Sequence, residues 1–166
     1  YTLSLHDALP IYYDRWWASH IDAFDEGSSL NHGWNPPVIN LSQDIAGIGP
    51  AEAGWTVFQV LPKEAFLRKV KVTVPSIKGE IRVDLEKTAQ EYRLSLNVPD
   101  RTRAIVGIPK RSMHRIDAIL VNGRSVWKQG HVGKINGLTP GVEDGDYVKF
   151  VAGPGKWAFV ATGSVR

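Results

Sequence analysis

The chain has 166 residues with 43% hydrophobic content, enough for a real core and too much for a disordered segment. It has no cysteine, which excludes a disulfide framework and a thiolate metal site, and the five histidines show no HxxxH-type pair. The net charge of +3 is unevenly spread: residues 1–55 hold seven of the seventeen acidic groups but only one of the twenty basic ones. That break near residue 55 predicts two structural units.

Residues 1–11, YTLSLHDALPI, carry no fold signal. They resemble the in-frame translation of a short-read sequencing adapter, ending where a ligated insert would begin. On that reading His6 and Asp7 have no role, and the natural protein is longer upstream. No apolar run reaches the length of a membrane span, so no membrane partner is expected.

Residues 12–34 hold six aromatic side chains, Tyr12, Tyr13, Trp16, Trp17, Phe24 and Trp34, interleaved with Asp14, Asp22, Asp25 and Glu26. Rings beside carboxylates suit a sugar site, because flat rings stack on the apolar faces of a sugar while carboxylates bind hydroxyls or move protons. The same residues also suit a surface fragment of a larger core, with the rings packing against parts of the protein outside this sequence. The run Asp25–Pro37 adds Asn31 and His32 to Trp34 in a loop punctuated by Gly and Pro. After it, Val38, Leu41, Ile45 and Ile48 recur at spacings of three and four, which predicts a helix of about three turns. Asn35 is its N-cap, Pro36 its first residue, and Gly47 and Gly49-Pro50 its end.

From residue 56 the period becomes two. Val70, Val72 and Val74, then Ile81, Val83 and Leu85, then Tyr92, Leu94, Leu96 and Val98 alternate with polar residues, as in antiparallel strands with one wet face. Turn signals lie at 75–79, 87–90 and 99–100. Further strands are expected near 103–108, 118–121, 147–152 and 156–161, with Asn122-Gly123 as a hairpin turn and Gly153–Lys156 as a hairpin turn before Trp157. The fold class is mainly β, a C-terminal antiparallel β-sandwich over residues 56–166.

Lys and Arg in this half alternate with Glu and Asp along the strands. That is a solvated face rather than a clustered stripe, and no nucleic-acid partner is expected. Gly153-Pro154-Gly155-Lys156 lacks phosphate-loop spacing. His114 and His131 lie in separate loop-rich segments, and Ser164 has no base or acid near it in sequence. No metal and no cofactor are expected.

Three motifs together carry a family resemblance. Ser29-Leu30-Asn31-His32-Gly33-Trp34, then Asp44–Pro50, then Gly54-Trp55 and Val57–Pro62 resemble the close of the catalytic barrel in bacterial α-L-rhamnosidases. The resemblance spans about residues 12 to 110. It implies residues 12–55 as the last part of an (α/α)6 barrel, truncated upstream, followed by the sandwich. It implies inverting release of terminal α-L-rhamnose from a rhamnose-containing oligosaccharide or glycoside. In such chemistry one carboxylic acid protonates the leaving oxygen and a second carboxylate activates water. By the same resemblance His32, with Asn31, lines the sugar pocket, Trp34 forms its wall, and Asp14 takes the general-base position where the family has Glu. Asp25 and Glu26 remain alternatives for a pocket carboxylate. The acid lies in the missing remainder of the barrel, so the 166-residue chain alone is expected to be inactive. The other reading is a non-catalytic carbohydrate-binding β-sandwich module behind a linker. The apolar stripe and the aromatics before residue 55 are unlike a linker.

Overall fold

The computed structural model describes residues 40–63, 67–112, 115–128 and 131–164. They form two sheets. The first has the order β1 (Ile48–Pro50), β2 (Val57–Val60), β6 (Arg103–Pro109), β11 (Tyr147–Ala152), β10 (Val142–Asp144). The second has the order β3 (Lys69–Ser76), β4 (Gly79–Lys87), β5 (Glu91–Val98), β12 (Gly155–Ser164), β7 (Arg115–Val121), β8 (Arg124–Lys128), β9 (His131–Val132). A mainly β architecture is therefore observed, as the alternation of apolar residues predicts.

One core joins the sheets. Phe58, Val60, Val106, Ile108 and Phe150 from the first sheet meet Ile81, Val83, Leu94, Ile119 and Phe159 from the second, all nearly inaccessible to solvent. Phe150 and Phe159 cross the layers with ring centroids 5.6 Å apart at 52°, a favourable tilted geometry. The alternation is strict in β4, where Ile81, Val83 and Leu85 are buried and Glu80, Arg82, Asp84 and Glu86 are exposed.

The structure departs from the sequence expectations in three places. First, the described part of the expected helix is a π-helical turn at Asn40–Ile45, its earlier residues lying outside the described ones, and Ile48 belongs to β1 instead of the helix stripe. Gly47, at φ +66°, turns the chain, and Ile48 pairs with Val60 and is buried in the core. Burial against the sheet overrides a helical spacing that the local sequence also permits. Strand pairing consequently crosses residue 55. Second, the pairing of β2 with β6 is parallel; every other ladder is antiparallel. Third, Gly153-Pro154 does not close a hairpin. It carries the chain from β11 in one sheet to β12 in the other, and Trp157 Nε1 donates to the Gly153 carbonyl at 2.8 Å. The Asn122-Gly123 hairpin forms as predicted, joining β7 to β8.

Candidate functional site

The sequence-predicted site residues, Asp14, Asn31, His32 and Trp34 together with Asp25 and Glu26, lie outside the described residues. His114 does as well, and His131 falls in β9. Among the described residues no group of three or more His, Cys, Asp or Glu could hold a metal ion.

The described residues leading into the sandwich begin at Asn40. The π-helical turn runs into β1, and Lys63 donates to Asp44 at 2.7 Å, which raises the Lys63 pKa through that hydrogen bond and the opposite charge. Both side chains are largely exposed, so the pair adds little stability. At the same end Tyr147 donates to the carbonyl of Pro62 at 3.1 Å, with the Leu61 carbonyl at 3.4 Å. Nearby, Lys149 donates to Asp144 at 2.7 Å and holds that carboxyl below its ordinary pKa. The Tyr92 hydroxyl is buried without a hydrogen-bond partner among the described residues. Burial pushes its pKa upward, with the Tyr147 hydroxyl adding to the shift.

The solvent face of the second sheet carries cross-strand rows. One row reads Thr73, Arg82, Asn97, Lys156 across β3, β4, β5 and β12; the next reads Lys71, Asp84, Ser95, Ala158. Most charges on this face are matched locally: Arg82 donates to Glu80, Arg93 to Glu91, and Lys71 lies 3.9 Å from Asp84. Lys156 forms no ion pair among the described residues.

A shallow groove opens in this face; polar Arg82, Asp84, Ser95, Asn97, Asn122 and Lys156 line it together with Leu96, Trp157 and Ala158. Its origin is local. β7 pairs with β12 only as far as Val121 opposite Phe159, then turns away. Asn122 takes over the edge of β12: its Oδ1 accepts the Ala158 N–H at 2.8 Å, its own N–H donates to the Ala158 carbonyl at 2.8 Å, and Nδ2 reaches the Lys156 carbonyl at 3.4 Å. The backbone of β12 is satisfied there, while the space beside Ala158 stays open. Sequence reasoning finds the Asn-Gly turn but not this second use of the Asn side chain, because the partner strand lies more than thirty residues away.

None of the described aromatic side chains is exposed. Trp55 is half-buried against Phe58, at 6.4 Å between centroids, and Trp127 and Trp157 are buried. The described surface therefore offers no aromatic platform.

Residues 47–118 match the family model described as the bacterial alpha-L-rhamnosidase C-terminal domain. Among solved structures, the fold is similar to an alpha-L-rhamnosidase from Dictyoglumus thermophilum, with TM-score 0.61 and 22% identity over 72% of this chain and 12% of that one. It is also similar to the Streptomyces avermitilis alpha-L-rhamnosidase complexed with L-rhamnose, with TM-score 0.57 and 21% identity over 72% of this chain and 10% of that one. The chain thus spans about an eighth or less of the length of these enzymes. Comparison with curated proteins gives no match. The chain is similar to a C-terminal part of a bacterial α-L-rhamnosidase, in agreement with the resemblance carried by its motifs.

Proposed function

We propose that this chain is a C-terminal portion of an inverting glycoside hydrolase that releases terminal α-L-rhamnose from glycosides. The observation that carries the reading is the family match over residues 47–118, supported by the sandwich fold. Residues 12–55 are assigned to the close of an (α/α)6 catalytic barrel and residues 56–166 to the sandwich, with β1 of the first segment pairing with β2 of the second.

In this reading Asp14 stands at the general-base position and draws a proton from water on the face opposite the leaving group. The partner acid, which protonates the glycosidic oxygen, belongs to the remainder of the barrel. Inversion needs the two carboxyls roughly 6.5–9.5 Å apart to admit that water. His32 and Asn31 hydrogen-bond sugar hydroxyls, and Trp34 offers an apolar wall. A free-standing carbohydrate-binding module is less well supported, since the described sandwich presents no exposed ring on which a sugar could stack.

The test is hydrolysis of an aryl α-L-rhamnoside by the protein encoded by the full parent gene, with the anomer of released sugar read by NMR. Initial release of the inverted anomer, lost in Asp14→Asn, supports the assignment. Retention of configuration, or an Asp14→Asn variant as active as the parent, overturns it.

A further inference from the structure

Asn-Gly pairs occur twice in the chain, at Asn122-Gly123 and Asn136-Gly137. Glycine has no side chain to shield its backbone nitrogen, so that nitrogen can reach the side-chain carbonyl carbon of the asparagine before it. The fold treats the two pairs differently. We propose that Asn136 is a site of spontaneous covalent modification, converting to an isoaspartyl linkage that loosens the crossing from one sheet to the other, and that Asn122 is shielded from the same reaction.

The reaction needs only water. The Gly137 nitrogen gives up its proton and attacks Asn136 Cγ. A C–N bond forms, the Cγ–Nδ2 bond breaks, and the amide leaves as ammonia, taking that proton. The product is a five-membered succinimide, which water then opens. Attack at the Asn136 main-chain carbonyl breaks its bond to the Gly137 nitrogen, and the chain then runs through Cβ and Cγ as isoaspartate. Attack at Cγ gives aspartate.

Hydrogen bonding separates the two sites. Asn122 Oδ1 accepts the Ala158 N–H at 2.8 Å, and Nδ2 donates to the Lys156 carbonyl at 3.4 Å. The amide that must turn and leave is therefore the group that caps β12, and the cap has to open first. Asn136 is exposed, and its side-chain amide makes no hydrogen bond among the described residues. Its turn is closed by the Leu138 N–H on the Ile135 carbonyl at 3.2 Å, within an isolated bridge and outside the strands. The related pair Asp144-Gly145 has no amide to lose, and Lys149 holds the Asp144 carboxylate at 2.7 Å.

The turn at Asn136 is tied to the sheet crossing. The Gly137 carbonyl accepts the Gly153 N–H at 2.8 Å, and Leu138 bridges to Ala152. Gly137 also packs beside Trp157, where an added Cβ would stand 3.5 Å from the ring. An isoaspartyl link lengthens the main chain by a methylene within this tight turn and leaves a carboxylate behind. The Ile135–Leu138 closure or the Gly137–Gly153 hydrogen bond must then shift.

The experiment incubates the folded 166-residue chain at mildly alkaline pH and maps tryptic peptides 116–124 and 135–149 by mass spectrometry, with fragmentation that tells isoaspartate from aspartate. Conversion of Asn136, mainly to isoaspartate, is expected at least about tenfold faster than conversion of Asn122. In urea the two rates should come together, because the protection at Asn122 belongs to the fold. Amide exchange at Gly153 should quicken and the Trp157 indole resonance should move in the converted chain, while Asn136→Ala incubated alike shows no such drift with time. Equal rates in the folded chain, faster conversion at Asn122, or a rate difference that survives in urea overturns the assignment. Unaltered exchange at Gly153 after full conversion overturns the link to the sheet crossing.

Discussion

The Gly47 carbonyl accepts the Leu61 backbone N–H at 3.0 Å, and the two backbones lie so close that no side chain fits between them. A Cβ on Gly47 would collide with the Leu61 carbonyl, and Gly47 also sits at φ +66°. This contact fixes where the helical turn ends and β1 begins. Gly47→Ala should destabilise the sandwich by about 2–4 kcal/mol, combining left-handed strain with a backbone clash. The comparison is Gly123→Ala, at φ +78° with open space around it, which should cost only about 1 kcal/mol. Urea midpoints at unchanged m-value measure both. Equal losses would show that the close approach to Leu61 is unimportant.

Tyr92 gives the opposite sign. Its ring is in the core, but its hydroxyl has no hydrogen-bond partner among the described residues. Tyr92→Phe removes a desolvated polar group without opening a cavity, and should be neutral or stabilising by up to about 1 kcal/mol. There is a pH signature too. The folded-state pKa is raised above its ordinary value of 10.0 because burial disfavours the phenolate. The folded state then holds its proton more tightly than the unfolded one. Stability from this group is fully present below pH 10 and falls as pH climbs beyond it. Denaturation profiles from pH 9 upward should be flatter for Tyr92→Phe than for the parent sequence.

Asn122 has two roles that substitution can separate. It adopts φ 49°, a left-handed conformation that Asn tolerates, and its amide caps β12. Asn122→Gly keeps the backbone preference and loses the cap, at about 1 kcal/mol; Asn122→Ala loses both and should cost about 2 kcal/mol. Thermal unfolding of the two variants gives the difference. Amide exchange at Ala158 should quicken in both.

In the intact parent enzyme, His32→Ala should lower kcat/KM on an aryl α-L-rhamnoside by about 10- to 100-fold, as expected for the loss of a hydrogen bond to a sugar hydroxyl. The 166-residue chain by itself should show no turnover. An unchanged kcat/KM in His32→Ala would remove this residue from the pocket.

The strands with strict alternation were legible because each one reports its own burial. Ile81, Val83 and Leu85 need no knowledge of their neighbours to be read as one face. Ile48 was not legible, since its apolar side chain satisfies a helical spacing as well as a strand, and only the pairing with Val60 decides between them. The destination of Gly153-Pro154 was hidden for a similar reason: a tight turn between two strands looks alike in sequence whether it returns to the same sheet or crosses to the other. The groove could not be read at all. Arg82, Asn97 and Lys156 become neighbours through register across three strands, and no local pattern encodes that. The family motifs, by contrast, were legible in the short runs through Asp44–Pro50 and Gly54-Trp55, and the matched family region begins inside them at residue 47.

The position of β12 has a consequence for how the molecule is made. It is the last strand described in sequence yet lies in the middle of its sheet, joining the β3-β4-β5 meander on one side to β7-β8-β9 on the other. During synthesis these two groups of strands emerge earlier and wait with open edges, since neither pairs with the other directly. Sheet edges of that kind recruit foreign strands. A released chain truncated before Gly155 would leave the facing edges of β5 and β7 unpaired, and should aggregate more readily than one that includes the ten-residue strand.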